Sequence, residues 1–146
     1  MLFSCENGLM VAVQVQTYLG RARDFLEGFN LLKDDLDEFR FSSALLGIHC
    51  AISYSDALRT GMGCENVSSD DHRSAADDLK RRLNEDRSVE NLRGVEHLKN
   101  LLSKKSRIEY ASETVRREEI EIIVKQAVRF AFWAEETGGA LKIEGW

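Results

Sequence analysis

The sequence contains no proline among its 146 residues, and this absence is the first constraint on its fold. Proline makes up about 5% of average proteins, and it is the residue that most strongly interrupts a helix. Together with 43% hydrophobic and 31% charged residues, its absence predicts long, uninterrupted helices. The length suits one typical domain that buries a hydrophobic core without metal or disulfide support. We therefore expect a single all-α domain spanning residues 1–146.

Cysteines and long apolar runs are also scarce. The three cysteines, Cys5, Cys50 and Cys64, are an odd number without paired spacing, which is typical of reduced thiols in a reducing compartment. The N-terminal stretch lacks the basic region and the long apolar core of a signal peptide. No window of the sequence approaches the roughly 18 apolar residues that span a bilayer. We expect a cytoplasmic protein without a membrane partner.

The strong motifs of metal and cofactor chemistry are missing as well. The sequence contains no HExxH, no paired CxxC, no P-loop and no GxSxG, so we expect neither a cofactor nor a metal site. The stretch SSDDHRSAADD (68–78) imitates a metal site, because Asp70 and Asp77, and likewise Asp71 and Asp78, are seven residues apart on one helix face, with His72 nearby. Acidic residues at a helix start are expected from capping and from the helix dipole alone, and we interpret the stretch in that way.

Apolar residues recur at intervals of three and four along five segments, which is the periodicity of amphipathic helices. The segments are predicted to begin near Val11, Asp37, Ser68 or Ser69, Ser88 and Ser112. The first, second, third and fifth are predicted to end near Leu32, Gly61, Asn84 and Gly138–Gly139. Short connections join the segments, so we expect an antiparallel bundle of four to five helices and no β-sheet.

Two polar residues interrupt the apolar second segment. Asp56 is predicted either to be buried, in which case it requires a cation from another helix or another subunit, or to lie on the exposed stripe of its helix. His49 is interpreted as a hydrogen-bonded core imidazole.

Charge is unevenly distributed along the chain. The net charge of −5 argues against a protein that coats nucleic acid through bulk charge. Residues 97–108 nevertheless carry four cations and no acid. An anion-binding surface is therefore expected only around the stretch KKSRIEY (104–110).

Two helix geometries are open for this stretch. If the helix breaks at Ser106, Lys105 meets Tyr110. If the helix continues, these two side chains lie about 140° apart around its axis, and Arg107 becomes the cation nearest the tyrosine.

The order of features resembles the HEPN superfamily of small prokaryotic helical domains. The similarity lies in FSSALLGIHCAISYSDALRTG (41–61), in SSDDHRSAADDL, and in LKNLLSKKSRIEY leading to a long helix with AVRFAFWAEE, and it extends from about Tyr18 to Glu136. The resemblance implies a bundle of four or five helices that forms a homodimer. Many members are metal-independent endoribonucleases of toxin–antitoxin or antiviral defence systems. Their motif is an arginine followed, after four to six residues, by a histidine, and the dimer brings these residues together in one cleft.

At the positions of that motif this chain has Lys105 and, after four intervening residues, Tyr110. RNA cleavage without metal requires a base, an acid and a cation. Tyrosine, with a pKa near ~10, is a fair acid but a poor base at neutral pH, and lysine lacks the bidentate fork of arginine. Either the catalytic pair is degraded, or another residue such as His72 supplies the base. Arg107 is the second candidate for the cation.

These implications lead to a functional expectation with one alternative. We expect a dimeric binding or interaction module that engages RNA, a nucleotide or a partner protein. The alternative is an active metal-independent endoribonuclease that uses Lys105 or Arg107 to bind phosphate and Tyr110 to donate a proton. A further hypothesis, from a different class, is a purely structural helical partner within a toxin–antitoxin pair, in which a nucleotidyltransferase partner modifies Tyr110.

Overall fold

The computed structural model describes residues 2–67, 71–110, 112 and 114–146, with the backbone alone for residues 2–6. Five α-helices follow one another: α1 (Leu2–Leu32), α2 (Leu36–Gly61), α3 (His72–Asp86), α4 (Arg93–Tyr110) and α5 (Arg117–Ala140). These ranges contain no strand, so the prediction of an all-α bundle is confirmed. Among the described helices, none combines the length and the apolar character needed to cross a membrane.

Two predicted helix starts are clearly wrong. α1 starts at Leu2 rather than near Val11, and α4 starts at Arg93 rather than at Ser88. Asn91 explains the second difference, because its side-chain oxygen accepts a 3.1 Å hydrogen bond from the backbone N–H of Arg93. This bond satisfies a donor that the first turn of a helix leaves open.

The last helix is also displaced from its predicted bounds. α5 starts at Arg117, later than the predicted Ser112, and it ends at Ala140, directly after the predicted Gly138–Gly139. The end of α2 at Gly61 is as predicted.

Asp71 caps the start of α3. Its carboxylate accepts a 3.0 Å hydrogen bond from the backbone N–H of Arg73, and His72 is the first helical residue. The predicted caps Ser68 and Ser69 lie outside the described residues. The cap therefore fixes the position of His72 as the first residue of α3.

α2 is the central helix, because it packs against each of the other four helices. Every residue of its segment 50–60 is buried. Several of these buried residues are polar: Ser53, Ser55, Asp56, Arg59 and Thr60. Buried polar groups are costly unless they are hydrogen-bonded, so this segment requires polar partners from the elements around it.

The guanidinium of Arg59 is the most demanding of these groups. Arg59 is 1% exposed, and its Nε donates a 2.7 Å hydrogen bond to Oδ2 of Asp78 in α3. Asp78 also accepts hydrogen bonds from Arg81 and Arg82. Asp56 is buried, as the first of its two alternatives predicts, and its Oδ1 lies 3.9 Å from Nη1 of Arg59. This cation comes from one turn further along the same helix, whereas the sequence predicts a cation from another helix or another subunit.

A second polar cluster joins α1 and α2 to α5. Glu135 accepts hydrogen bonds of 2.8 and 2.9 Å from Arg23 of α1 and one of 2.7 Å from the hydroxyl of Tyr54 in α2. Burial, reinforced by Glu135, raises the pKa of Tyr54, and the hydrogen bond from Arg23 lowers the pKa of Glu135. At neutral pH the cluster therefore holds a protonated phenol beside an ion pair.

The close approach of α4 to α5 depends on a glycine. A Cβ atom at Gly94 would lie 2.0 Å from the ring of Trp133, so no larger residue fits there. The indole N–H of Trp133 donates a 2.8 Å hydrogen bond to the backbone carbonyl of Asn91. The ring thus fixes the start of α4 against α5.

We predict that Asp78→Asn lowers the free energy of unfolding by about 3 kcal/mol, because it removes the carboxylate from a buried ion pair. Asp77→Asn is the matched control, since Asp77 is the exposed neighbour of Asp78 on the same helix and its loss is expected to change stability by less than about 0.5 kcal/mol. Urea unfolding followed by circular dichroism gives both values. Equal effects of the two substitutions would contradict the assigned role of Asp78.

The difference in unfolding free energy between wild type and Asp78→Asn is predicted to depend on pH. Burial opposes the ionisation of Asp78, but hydrogen bonds from Arg59, Arg82 and Arg81 lower its pKa from 3.8 to about 2. The stabilisation by Asp78 is therefore complete above about pH 4 and is lost as the pH falls through about 2. The stability difference between wild type and Asp78→Asn should narrow over that interval.

Candidate functional site

The stretch 104–110 forms the last turns of a continuous α4, which ends at Tyr110. The alternative in which the helix breaks at Ser106 and brings Lys105 to Tyr110 is wrong. Nζ of Lys105 instead donates a 3.2 Å hydrogen bond to Oε2 of Glu109, one turn further along the helix. A lysine and a glutamate four residues apart are neighbours on a helix surface, so the local spacing explains this pairing.

Arg107 faces α5. Its Nε and Nη2 donate hydrogen bonds of 3.0 and 3.2 Å to the two carboxylate oxygens of Glu119. Tyr110 is 80% exposed, so its ring does not pack against the bundle, and its side chain hydrogen-bonds to Glu109. The two candidate cations thus each have a carboxylate at hydrogen-bonding distance, which offsets the local positive charge that the acid-poor sequence predicts.

Glu109 connects the end of α4 to α2. Its Oε1 lies 3.3 Å from Nε2 of His49, and its side chain is 14% exposed. Burial acts to raise the pKa of Glu109, but the charge and hydrogen bond of Lys105, together with hydrogen bonds from Tyr110 and His49, outweigh this effect and lower it. Glu109 is therefore a carboxylate at neutral pH, with Lys105 on one oxygen and His49 on the other.

His49 differs in part from its predicted role. The imidazole has a polar partner, as expected, but its side chain is 34% exposed and so is not part of the core. Its ring lies against Phe25 of α1, with the centroids 5.6 Å apart and the planes inclined by 34°. His49 therefore presents one edge to Glu109 and lies beside an aromatic ring of the neighbouring helix.

His72 approaches the same cluster from α3. Partial burial lowers its pKa from 6.5, and the positive charge of Lys105 lowers it further. Asp71 acts in the opposite direction, while His49 and Arg59 add to the lowering. His72 is therefore mostly neutral at pH 7 and able to accept a proton. The structure thus brings the predicted candidates His72 and Lys105 into one neighbourhood, and it leaves Tyr110 at the exposed end of α4.

A groove lies beside this cluster, between α1 and α2 and the start of α3. We call it the α1–α2 groove, and it has a volume of about 550 Å³. Its described lining comprises Val13, Gln14, Thr17, Tyr18, Arg21, Phe25, His49, Ile52, Ser53, Asp56 and His72. Apolar, aromatic and cationic side chains converge there with two imidazoles, a combination that is typical of small-molecule sites.

Sequence reasoning missed the contribution of α1 to this groove. Tyr18 is only partly buried, and the guanidinium carbon of Arg21 lies 5.8 Å from the centroid of its ring. The signal was an aromatic residue followed three positions later by a cation, which places both side chains on one helix face. It was hidden because Tyr18 also fits the apolar periodicity of the helix.

The described residues contain no group of three or more His, Cys, Asp or Glu side chains that could hold a metal ion. Asp71 caps α3 and Asp78 binds Arg59. Cys50 is buried, and neither Cys50 nor Cys64 forms a disulfide with a described residue. Burial raises the pKa of Cys50 to about 12, so its thiol is a poor nucleophile at neutral pH.

We predict that Lys105→Ala raises the pKa of His72, because the substitution removes a nearby positive charge that disfavours the imidazolium. The rise should be partial, since burial is the larger cause of the lowered pKa. Lys99→Ala removes an exposed lysine from the same helix and should leave the value unchanged. NMR titration of the His72 ring protons measures both effects. An unchanged His72 pKa in Lys105→Ala would show that the charge of Lys105 does not act on His72.

Comparison of the chain with protein-family models, with curated proteins and with solved structures found no match. Function is therefore inferred from the end of α4, the cluster around Glu109 and the α1–α2 groove.

Proposed function

We propose that this chain is a HEPN-like dimeric module that binds RNA or a nucleotide and does not cleave it. One observation carries the proposal: α4 is unbroken to Tyr110, and Lys105 and Arg107 are hydrogen-bonded to Glu109 and Glu119. In this arrangement Lys105 and Tyr110 both hydrogen-bond to Glu109, so the carboxylate lies between the two candidate residues. It also offsets the positive charge that cleavage would need.

The energetic requirements of cleavage and binding explain this preference. A metal-free ribonuclease has to stabilise the charge that builds on phosphorus with cations aimed at the transition state. At the end of α4 each cation already has a carboxylate as partner. The free energy that a phosphate gains there is only the difference between a cation–phosphate pair and the cation–carboxylate pair that it replaces. Such a difference supports salt-sensitive binding of a polyanion, but it is a poor source of transition-state stabilisation.

An endoribonuclease is the second candidate function, and one observation favours it. His72 lies near Lys105, and its lowered pKa leaves the imidazole neutral at pH 7. A neutral histidine beside a cation is the combination that would activate a 2′-hydroxyl and bind the adjacent phosphate.

The two candidates predict opposite results with total RNA in EDTA. We expect wild-type protein to leave the RNA intact while it binds a fluorescent RNA oligomer, with an affinity that falls as salt increases. Lys105→Ala should change the affinity only slightly, because Glu109 already offsets this charge. Cleavage by the wild type that is lost in both Lys105→Ala and His72→Asn, but retained in Lys99→Ala, would overturn the proposal in favour of the ribonuclease. Absence of both cleavage and binding would contradict both candidates.

Homodimerisation is the second testable part of the proposal. Support comes from large apolar side chains that remain exposed on the single chain, including Leu9, Met10, Val13 and Phe132, which are 69%, 61%, 53% and 67% exposed. Exposed apolar surface is typical of interaction sites when it is extensive.

We predict that sedimentation velocity at micromolar concentration gives twice the chain mass of 16.6 kDa. The resemblance places the motif at the junction of two subunits, so Tyr110→Glu should weaken the dimer by introducing a charge there. Asn84→Glu is the control, since Asn84 is an exposed polar residue of α3 and belongs neither to the motif nor to the exposed apolar side chains. A wild-type monomer at this concentration would exclude the proposed assembly.

A further inference from the structure

We infer that the α1–α2 groove binds an aromatic compound that carries a phosphate group. The ring of the ligand lies against Tyr18 and Phe25. Its phosphate lies between Arg21, His49 and His72. The inference rests on the proposed function, because it names the site at which the nucleotide binds. It places that site in the groove and not at the end of α4.

The size of the groove fits such a ligand. Its volume of about 550 Å³ lies within the range of about 300–1,000 Å³ that is usual for small-molecule sites. The described lining comes from α1, α2 and the first residue of α3, so the helix contacts that stabilise the fold also hold the lining in place.

Aromatic side chains provide a stacking surface along one wall. Phe25 and His49 already lie with their ring centroids 5.6 Å apart, and Tyr18 lies beneath the guanidinium of Arg21 at 5.8 Å. Tyr18 and Phe25 are both only partly buried, so part of each ring is open to the groove. Base stacking on such rings contributes about 1–3 kcal/mol per base and is tolerant of base identity.

The charges of the lining favour an anion. Arg21 is exposed and forms no ion pair in the part of the chain that the structure describes. His72 likewise makes no hydrogen bond or ion pair with any described residue. Asp56 is the one acid among the described lining residues, and its carboxylate lies 3.9 Å from the guanidinium of Arg59. A phosphate that enters the groove therefore meets two donors, Arg21 and His72, that no described carboxylate occupies, while His49 already has Glu109 as a partner.

This contrast separates the groove from the end of α4. There, Lys105 and Arg107 each have a carboxylate as hydrogen-bond partner. In the groove, Arg21 and His72 have none among the described residues. Phosphate binding is therefore more favourable in the groove than at the end of α4, although the sequence motif lies on α4.

Isothermal titration calorimetry with adenosine monophosphate tests the inference directly. We expect Arg21→Gln to weaken binding by about tenfold, which is the usual contribution of one charged hydrogen bond, and Tyr18→Ala to weaken it to a similar extent. Lys80→Gln removes an exposed cation from α3 and serves as the control. Adenosine and inorganic phosphate should each bind at least tenfold more weakly than the nucleotide, because each retains one half of the contacts.

A second readout separates binding from a structural role of the histidine. A bound phosphate should raise the pKa of His72, because binding and protonation are linked. The charged groups near His72 are Lys105, Asp71 and Arg59, with His49 as the second imidazole. His49 also faces the bound phosphate in this proposal, so its ring protons are followed in the same titration. His97 is the internal control, since burial also lowers its pKa but it lies outside the described lining of the groove. An unchanged pKa of His72 at saturating nucleotide would overturn the assignment.

The outcomes distinguish the groove from the proposed function as a whole. If RNA or the nucleotide binds and the groove substitutions have no effect, the binding module stands and the groove assignment is wrong. If neither ligand binds, both are wrong. An RNA hexamer with a 3′-phosphate distinguishes the source of the ligand, because competition with adenosine monophosphate indicates an RNA end and lack of competition indicates a free nucleotide.

Discussion

Buried polar side chains in the central helix α2 determine how the helices around it pack. Residues 50–60 of α2 are enclosed on all sides, yet they include an arginine that is 1% exposed. A buried guanidinium requires a carboxylate, and Asp78 supplies it from α3. This contact and the buried apolar face of α3 hold the helix against the bundle, and with it His72 beside the α1–α2 groove. The ion pair thus contributes both to the stability of the fold and to the geometry of the candidate site.

The arrangement of acids explains why the most conspicuous sequence motif is not the best candidate site. The stretch 97–108 contains no acid, but Glu109 and Glu119 lie just beyond it along the chain and bind Lys105 and Arg107. The groove residues Arg21 and His72 have no such neighbours in the described part of the chain. The charges that neighbour a residue along the chain therefore differ from those that neighbour it in the folded structure. The charges in the folded structure determine where an anion binds.

Much of the fold was predictable, because periodicity and the absence of proline are local signals. The five helices, the all-α class and the end of α2 at Gly61 followed from them. The pairing of Lys105 with Glu109 was also readable from their spacing of four residues. The contacts Arg107–Glu119, Arg59–Asp78 and His49–Glu109 were not, since each joins two helices whose relative placement depends on the whole core. The groove, which needs three helices, was for the same reason beyond sequence reasoning.

We propose that a nucleotide binds in the α1–α2 groove and not at the end of α4. Mapping of backbone amide shifts by NMR during titration with adenosine monophosphate distinguishes the two sites. We expect the largest shifts around Tyr18, Arg21, His49 and His72, with small changes at Arg107 and Glu119. Shifts centred on Arg107, Tyr110 and Glu119, with the groove residues unmoved, would contradict it.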